Sequence, residues 1–424
     1  MTGPTGAPRG PSQPGMPDVP RHARTRMRGR DPDEDARVAT PLELLYDLTF
    51  VVAVGVAAEH MAELVVAGKV GAGVLGFGFG MVAILVAWIN FSWFASAFDT
   101  DDWVYRLWTM LQMVGVVLVA LGLVPMFHSL SEGHAFDCHL IVVGYVVMRI
   151  GLVAQWLRVA REAEEYRTVA LRNVVSILVA QVGWVAIALR DLGIGASFAL
   201  IVPLGVIELL IPVFAQGGAS GTPWHPHHIA ERYGLFAIIA LGEGVVGTVA
   251  SSQGALGGVT GKDWSLDAVL VLVAGVGLTF GLWWSYFLTP FAALIHARPA
   301  TGYVFGYGHI PLLGAIAGTG AGLHVAGLYL AERVADEAHA IGQVGVTLAV
   351  AVPVAVFVAV KEAVVSAMAG RVDPRDLGIH LLVLAVLALA VLVGAASMPW
   401  ALVLVMVATF VPVVGYELRA PGQR

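Results

Sequence analysis

The chain has 424 residues, of which 58% are apolar and only 13% charged, with a mean hydropathy of +0.80. Soluble domains carry roughly 25% charged residues, so this composition demands many membrane spans and excludes one soluble core with an anchor. The net charge of −6 comes with no basic stripe on a soluble fold, which argues against nucleic acid, and the single cysteine, Cys138, excludes an intrachain disulfide or a Cys-rich metal site.

Residues 1–40 are rich in Pro, Gly and Arg and carry the acidic run Asp31-Pro-Asp-Glu-Asp35. Nothing apolar there can build a core or a signal-peptide core, so a disordered cytoplasmic tail is expected. Twelve apolar runs follow, near residues 42–66, 74–97, 104–127, 139–158, 170–189, 195–215, 229–250, 266–288, 303–329, 341–361, 377–397 and 399–416. The expected fold is an all-α, polytopic membrane bundle over residues 41–418, closed by a cytoplasmic tail at 419–424. Arg9, Arg21, Arg24, Arg26, Arg28, Arg30 and Arg37 precede the first span. Arg158, Arg161, Arg167 and Arg172 bracket the fourth loop, and Lys361, Arg371 and Arg375 the tenth. The alternate loops carry little, so the positive-inside rule puts both termini in the cytoplasm. Glu43 and Trp93 are 50 residues apart, and Glu231 and Trp283 are 52 apart. A six-plus-six parallel repeat, with halves 41–215 and 229–416, would explain this, as would coincidence between apolar helices.

Candidate functional groups lie mostly toward the cytoplasmic ends of the spans. Glu43 and Asp47, at i,i+4, share one helix face and cannot face lipid. Such a pair can share a proton or hold a cation, or it can pair with Arg232 or Arg106 and fasten helices. His228 and Glu231, at i,i+3, would suit metal ligands or an acid–base pair, although no complete ligand set is visible and a helix start explains Glu231. The turn Asp99-Thr-Asp101-Asp102 is a D-x-D-D string. That pattern can protonate an alkene, and aspartate clusters can bind diphosphate through magnesium; an acidic interfacial turn is the plainer meaning. Arg106 and the aromatic residues Trp283, Trp284, Tyr303 and Tyr307, with His309, could line a substrate cavity, or the aromatics could form an interfacial belt. Arg149 and Glu243 lie deepest, and Arg149 needs a carboxylate partner, Glu243 or Glu208. The outer turn His128, His134, Asp137, Cys138, His139 could take a soft metal but reads as a polar turn. Gly76, Gly78, Gly80 and Gly314, Gly318, Gly320, Gly322 read as close helix packing.

Taken together, Pro41-Leu-Glu-Leu-Leu-Tyr-Asp-Leu-Thr-Phe-Val51, Phe98-Asp-Thr-Asp-Asp102 with Arg106, Gly144-Tyr145 with Arg149, the segment His228–Glu243, and Tyr307-Gly-His309 resemble the bacterial low-temperature-requirement protein A family. They cover most of residues 38–330 in the family's order; Tyr46 departs from a frequent Phe. The resemblance implies a polytopic protein of the bacterial cytoplasmic membrane and names a phenotype, not a chemistry.

Two functions are expected from these residues. The first is a membrane enzyme acting on a lipid or isoprenoid in a cytoplasm-facing polar and aromatic cavity. Asp101 or Asp102 would donate the proton, while Asp99, Glu43, Asp47, His228 and Glu231 would shape acid–base chemistry. Arg106, Arg149, Arg232, Glu243 and the aromatic residues would hold the substrate. The second is a secondary transporter coupled to protons through Glu243 and Arg149. No cofactor is assigned; Mg2+ enters only with a bound diphosphate. The partners expected are the bilayer and a small hydrophobic or amphipathic substrate, without nucleic acid, and the oligomeric state is open.

Overall fold

The fold is taken from a computed structural model, which describes residues 24–32, 34, 37–133, 135–216, 221–256, 264–334 and 340–418. Those residues are helical almost throughout, with twelve helices long and apolar enough to cross a membrane. In chain order the helices are α1 (Pro41–Val66), α2 (Val70–Phe98), α3 (Trp103–Glu132), α4 (His139–Glu162), α5 (Arg167–Ala188), α6 (Ile194–Ala215), α7 (Pro226–Ala255) and α8 (Leu266–Phe287). They continue with a short α9 (Phe291–Ala297), then α10 (Gly302–Val334), α11 (Gln343–Ala369), α12 (Pro374–Gly394) and α13 (Met398–Glu417). Twelve crossings bring both ends of the bundle to one side, called here the N-terminal face.

Local chemistry sets the helix ends. Thr40 and Glu43 form a reciprocal capping box ahead of Pro41 at the first helical position. Asp102 caps α3 by accepting from the Tyr105 amide, and Ser265 caps α8. Gly133 and Gly370 end α3 and α11 in the left-handed conformation that glycine adopts without strain. The expected tenth span stopped at 361, but α11 runs to Ala369. Lys361 is therefore not a loop charge: it is buried, and its Nζ donates to Ser285 Oγ at 2.8 Å and Ser285 O at 3.0 Å.

Close helix packing rests on glycine, in part where expected. A Cβ on Gly320 would lie 2.6 Å from Glu243 backbone, and one on Gly322 would lie 2.3 Å from Ala349 O. Gly78 and Gly314 face open space instead. Gly247 and Gly254 on α7 meet the α10 backbone at Gly320 and Gly327 in the same way, so α7 and α10 touch main chain to main chain.

The expected tail is ordered in part. Arg30 N donates to Ala97 O, and the Arg37 guanidinium reaches Ser96 O and Ala95 O. These are carbonyls of the last turn of α2, at the negative end of its dipole; Ala95 O also accepts from the Asp99 amide. Met27 is fully buried. A segment with no core of its own thus docks on helix ends; residues 1–23 and 419–424 lie outside the described residues. The repeat is not established: α8 packs along α13, whereas α2 stands off α6.

Candidate functional site

Glu43 and Asp47 meet Arg232 of α7, and all three side chains are fully buried. Arg232 Nη2 lies 2.5 Å from Asp47 Oδ1, and its Nε donates to Asp47 Oδ2 at 3.2 Å. Arg232 Nη1 lies 2.8 Å from Glu43 Oε1 as an ion pair whose angles fall short of a hydrogen bond. Trp88 Nε1 donates to Asp47 Oδ1 at 2.7 Å, and Thr40 N to Glu43 Oε2 at 2.8 Å. His228 Nε2 lies 3.3 Å from Glu43 Oε2, which makes it the donor nitrogen; buried Nδ1 has no partner. The Arg232 guanidinium also lies 5.9 Å from the Trp88 and Phe91 ring centres.

Two expectations need correction here. The carboxylates do not open onto a cytoplasm-facing cavity, because Arg232 neutralises them inside a sealed core. His228 and Glu231 do not form a pair either: His228 turns to Glu43, while Glu231 accepts from the Ala39 backbone. Arg37 lies close enough to Glu43 and Asp99 to feel both charges. Arg37 is shared between Glu43 and Asp99, and its pull on Asp99 is smaller than the effect of burial. Burial, and then the Glu43 carboxylate, push Asp99 up to about 7.

The D-x-D-D string separates into three roles. Asp99 Oδ1 accepts from the Asp101 amide, where the backbone takes φ +45°. Asp101 binds Arg106 through both oxygens at 2.8 Å. Asp102 caps α3 and takes both Arg158 nitrogens, at 2.9 and 2.6 Å, together with the Thr25 amide. Burial works to raise Asp102, but the Arg158 and amide hydrogen bonds outweigh it and bring the group down to about 2. Asp101 and Asp102 are thus ion-paired, and of the three Asp99 is the carboxyl that burial pushes toward its protonated form. Sequence reasoning missed the Arg158 partnership because that residue reads as a loop charge, although it lies in the last turns of α4.

Releasing Asp102 should free the docked segment. In Asp102→Asn, limited trypsin digestion at Arg24–Arg30 is expected to quicken several-fold with the bundle still folded. Unchanged cleavage would show that the segment is held elsewhere. The two titrations have opposite signs. Asp99 favours the fold below its ordinary value near 4, and that contribution fades as pH rises through about 7. Asp102 favours the fold above its ordinary value and loses this only as pH falls toward 2. Between pH 5 and 8, wild type should lose thermal stability with rising pH and Asp99→Asn should not; parallel melting curves in detergent would contradict this.

The other expected site residues lie apart from this cluster. Arg149 pairs with Glu208 of α6 at 2.5 Å, the nearer of its two expected partners, and Trp184 Nε1 also donates to Glu208 at 2.9 Å. Glu243 lies in the far half of α7, within electrostatic reach of Glu59, which also faces His324. His309 is a satisfied core histidine: Nδ1 donates to Phe305 O at 2.7 Å and Nε2 accepts from Tyr286 OH at 3.0 Å. Trp283 is 39% exposed on the bundle surface and stacks on Phe280; neither it nor Trp284 lines a described cavity. Among the described residues, no three His, Cys, Asp or Glu converge as a metal site.

Space for a ligand lies elsewhere, beside α6. That helix is held at the far face by Phe198, which packs edge-on against Phe79 of α2 and tilted against Phe136. At the N-terminal face Tyr303 and Tyr307 of α10 donate to Pro212 O and Leu209 O. Between these ties α6 stands away from α2 and leaves a chamber of about 290 Å3. Its walls are apolar side chains of α2, α4, α5 and α6, with Tyr145, Trp184 and Glu208 as the polar-bearing residues. A second cleft of about 40 Å3 continues toward the N-terminal face, lined by Asn90, Trp93, Trp156, Asn173, Gln216, Tyr303 and Tyr307 among others. Of the expected substrate-binding residues, only Tyr303 and Tyr307 line these spaces directly; Arg149, which holds Glu208, lines a separate pocket of about 320 Å3 between α4 and α5.

Twelve apolar crossings, tied by buried ion pairs and flanked by an intramembrane chamber, define a multi-pass membrane protein. Residues 38–411 match the family described as bacterial low temperature requirement A protein (LtrA), and the chain belongs to that family. An uncharacterized protein of Rhizobium meliloti (strain 1021) is 25% identical over 306 residues, 69% of this chain and 70% of its own length. No solved structure matches.

Proposed function

We propose that this protein is a membrane-embedded enzyme that binds and converts a small lipid or isoprenoid in the chamber beside α6. The observation that carries this reading is the chamber itself. It is apolar, close in size to the low end of ligand pockets, and has a carboxylate and a phenol in its wall. Glu208, fixed by Arg149 and Trp184, is the carboxylate placed to accept a proton from a bound molecule, and the Tyr145 phenol, which donates to Ala83 O at 2.7 Å, presents its lone pairs beside it. Proton-initiated cyclisation of the D-x-D-D kind narrows to Asp99, since Asp101 and Asp102 are ion-paired, and it requires the ligand to reach past the cleft, because Asp99 lines neither space. Among the described residues, no carboxylate set converges to hold magnesium for a diphosphate step. The N-terminal face, with Arg24, Arg26, Arg28, Arg30 and Arg37, is taken as cytoplasmic in a bacterial inner membrane.

The test compares lipids and small metabolites of cells expressing wild type, Glu208→Gln and Asp99→Asn at equal membrane levels. A species made or consumed by wild type and lost with Glu208→Gln supports the enzyme. Loss with Asp99→Asn as well supports the cyclisation step, and full turnover by that variant removes it. Secondary transport is favoured by one observation: Glu59, Glu243 and His324 place titratable groups in the far half, opposite the Glu43 cluster along the same α1 and α7. Uptake into proteoliposomes that collapses with a proton ionophore and fails in Glu243→Gln would support it; uptake unaffected by both would oppose it.

A further inference from the structure

The chamber and the small cleft lie in line along α2 and α6. On α2, Phe79, Val82, Ala83 and Val86 line the chamber, and Ile89, Asn90 and Trp93 line the cleft. These positions fall three and four apart, so they form one stripe of the helix. On α6, Leu209 faces the chamber and Pro212 the cleft. Phe79 to Trp93 spans fourteen residues, about 21 Å along the helix axis. That suits a single extended chain, with its tail toward the far face.

The cleft decides the head. Asn90 Nδ2 donates to Val86 O, and Asn173 Nδ2 donates to Val169 O. Each carboxamide therefore has its oxygen left for a ligand. The Tyr303 and Tyr307 hydroxyls spend their protons on α6 carbonyls and offer lone pairs. Each carboxamide also keeps a second N–H, and Gln216 and Thr222 line the same cleft, which thus offers both donors and acceptors, the match for a small neutral head such as a hydroxyl that gives one hydrogen bond and takes another. No Lys, Arg or His lines the cleft among the described residues. Its volume of about 40 Å3 holds only a few water-sized groups, since one water needs roughly 10–15 Å3 by this measure. A diphosphate is too large, and no cation among the described lining residues meets its charge.

From this geometry we infer that the two spaces act as one groove and bind a single-chain long-chain or isoprenoid alcohol, its hydroxyl at Asn90 and Asn173 and its chain in the chamber. The inference rests on the chamber being the ligand site proposed above and adds the class of head group.

Tritiated farnesol, farnesyl diphosphate and the headless hydrocarbon farnesene, measured on the full chain in nanodiscs, test it. Farnesol should bind at least tenfold more tightly than the diphosphate. Asn90→Leu, close in shape, should weaken farnesol roughly tenfold and leave farnesene unchanged. Gly205→Leu puts a side chain into the chamber from a position where a Cβ meets no atom within 4 Å, and it should weaken binding of both neutral probes at least tenfold. Diphosphate binding as tight as the alcohol, or no effect of Asn90→Leu, overturns the head assignment while the chamber stands. If no probe binds and excess phospholipid alone occupies the groove, the chamber reading itself fails.

Discussion

Arg232→Met is expected to lower stability by about 3–5 kcal/mol, the cost of breaking a buried ion pair by removing one partner. The guanidinium is the counter-charge that Glu43 and Asp47 share, and water reaches none of the three side chains. Removing it leaves two carboxylates facing each other beside Trp88 and His228. Arg232→Lys should recover little, because an ammonium cannot serve both carboxylates in a fixed fork. Adding Glu43→Gln and Asp47→Asn to Arg232→Met should recover most of the loss, since the neutral set needs no counter-charge. Thermal unfolding of the purified proteins in one detergent measures all four. Wild-type stability in Arg232→Met alone would mean that the cluster is not the fastening the geometry describes.

The second large effect concerns α7 and α10. Gly320→Val puts a branched side chain where a Cβ alone would lie 2.6 Å from the Glu243 backbone, so the two helices must part. Loss of about 3 kcal/mol, the upper end of overpacking costs, is expected. Gly314→Ala, on the same α10 but facing open space, should be neutral or slightly stabilising, because alanine favours the helix. The pair separates helix contact from helix propensity. Equal melting temperatures for Gly320→Val and Gly314→Ala would contradict main-chain contact between α7 and α10.

What the sequence discloses follows from the solvent each feature answers to. The spans are legible because every stretch that crosses lipid must be apolar over about 20 residues, whatever its neighbours. The buried charges are legible for the same reason: Glu43, Asp47, Arg149 and Glu208 stand out against apolar background, and Arg149 can reach few partners. Which group pairs with which is a tertiary fact, set by helix rotation. Arg232 therefore joins Glu43 and Asp47, whereas Arg106 closes on Asp101 five residues back. Trp88, central to the cluster, carries no sequence signal that separates it from lipid-facing aromatics. The groove is least legible of all, because it is a gap between α2 and α6 rather than a residue pattern. Its only local signs are Asn90 and Asn173, two neutral amides within apolar helices.

The central claim is that the space beside α6 is where this protein meets its ligand. Native mass spectrometry of wild type and Gly205→Leu, released from detergent after identical purification, tests it most directly. The account predicts a bound small neutral amphiphile on wild type and none on the filled variant, with both folded. The same adducts on both proteins, or none on either, would contradict it.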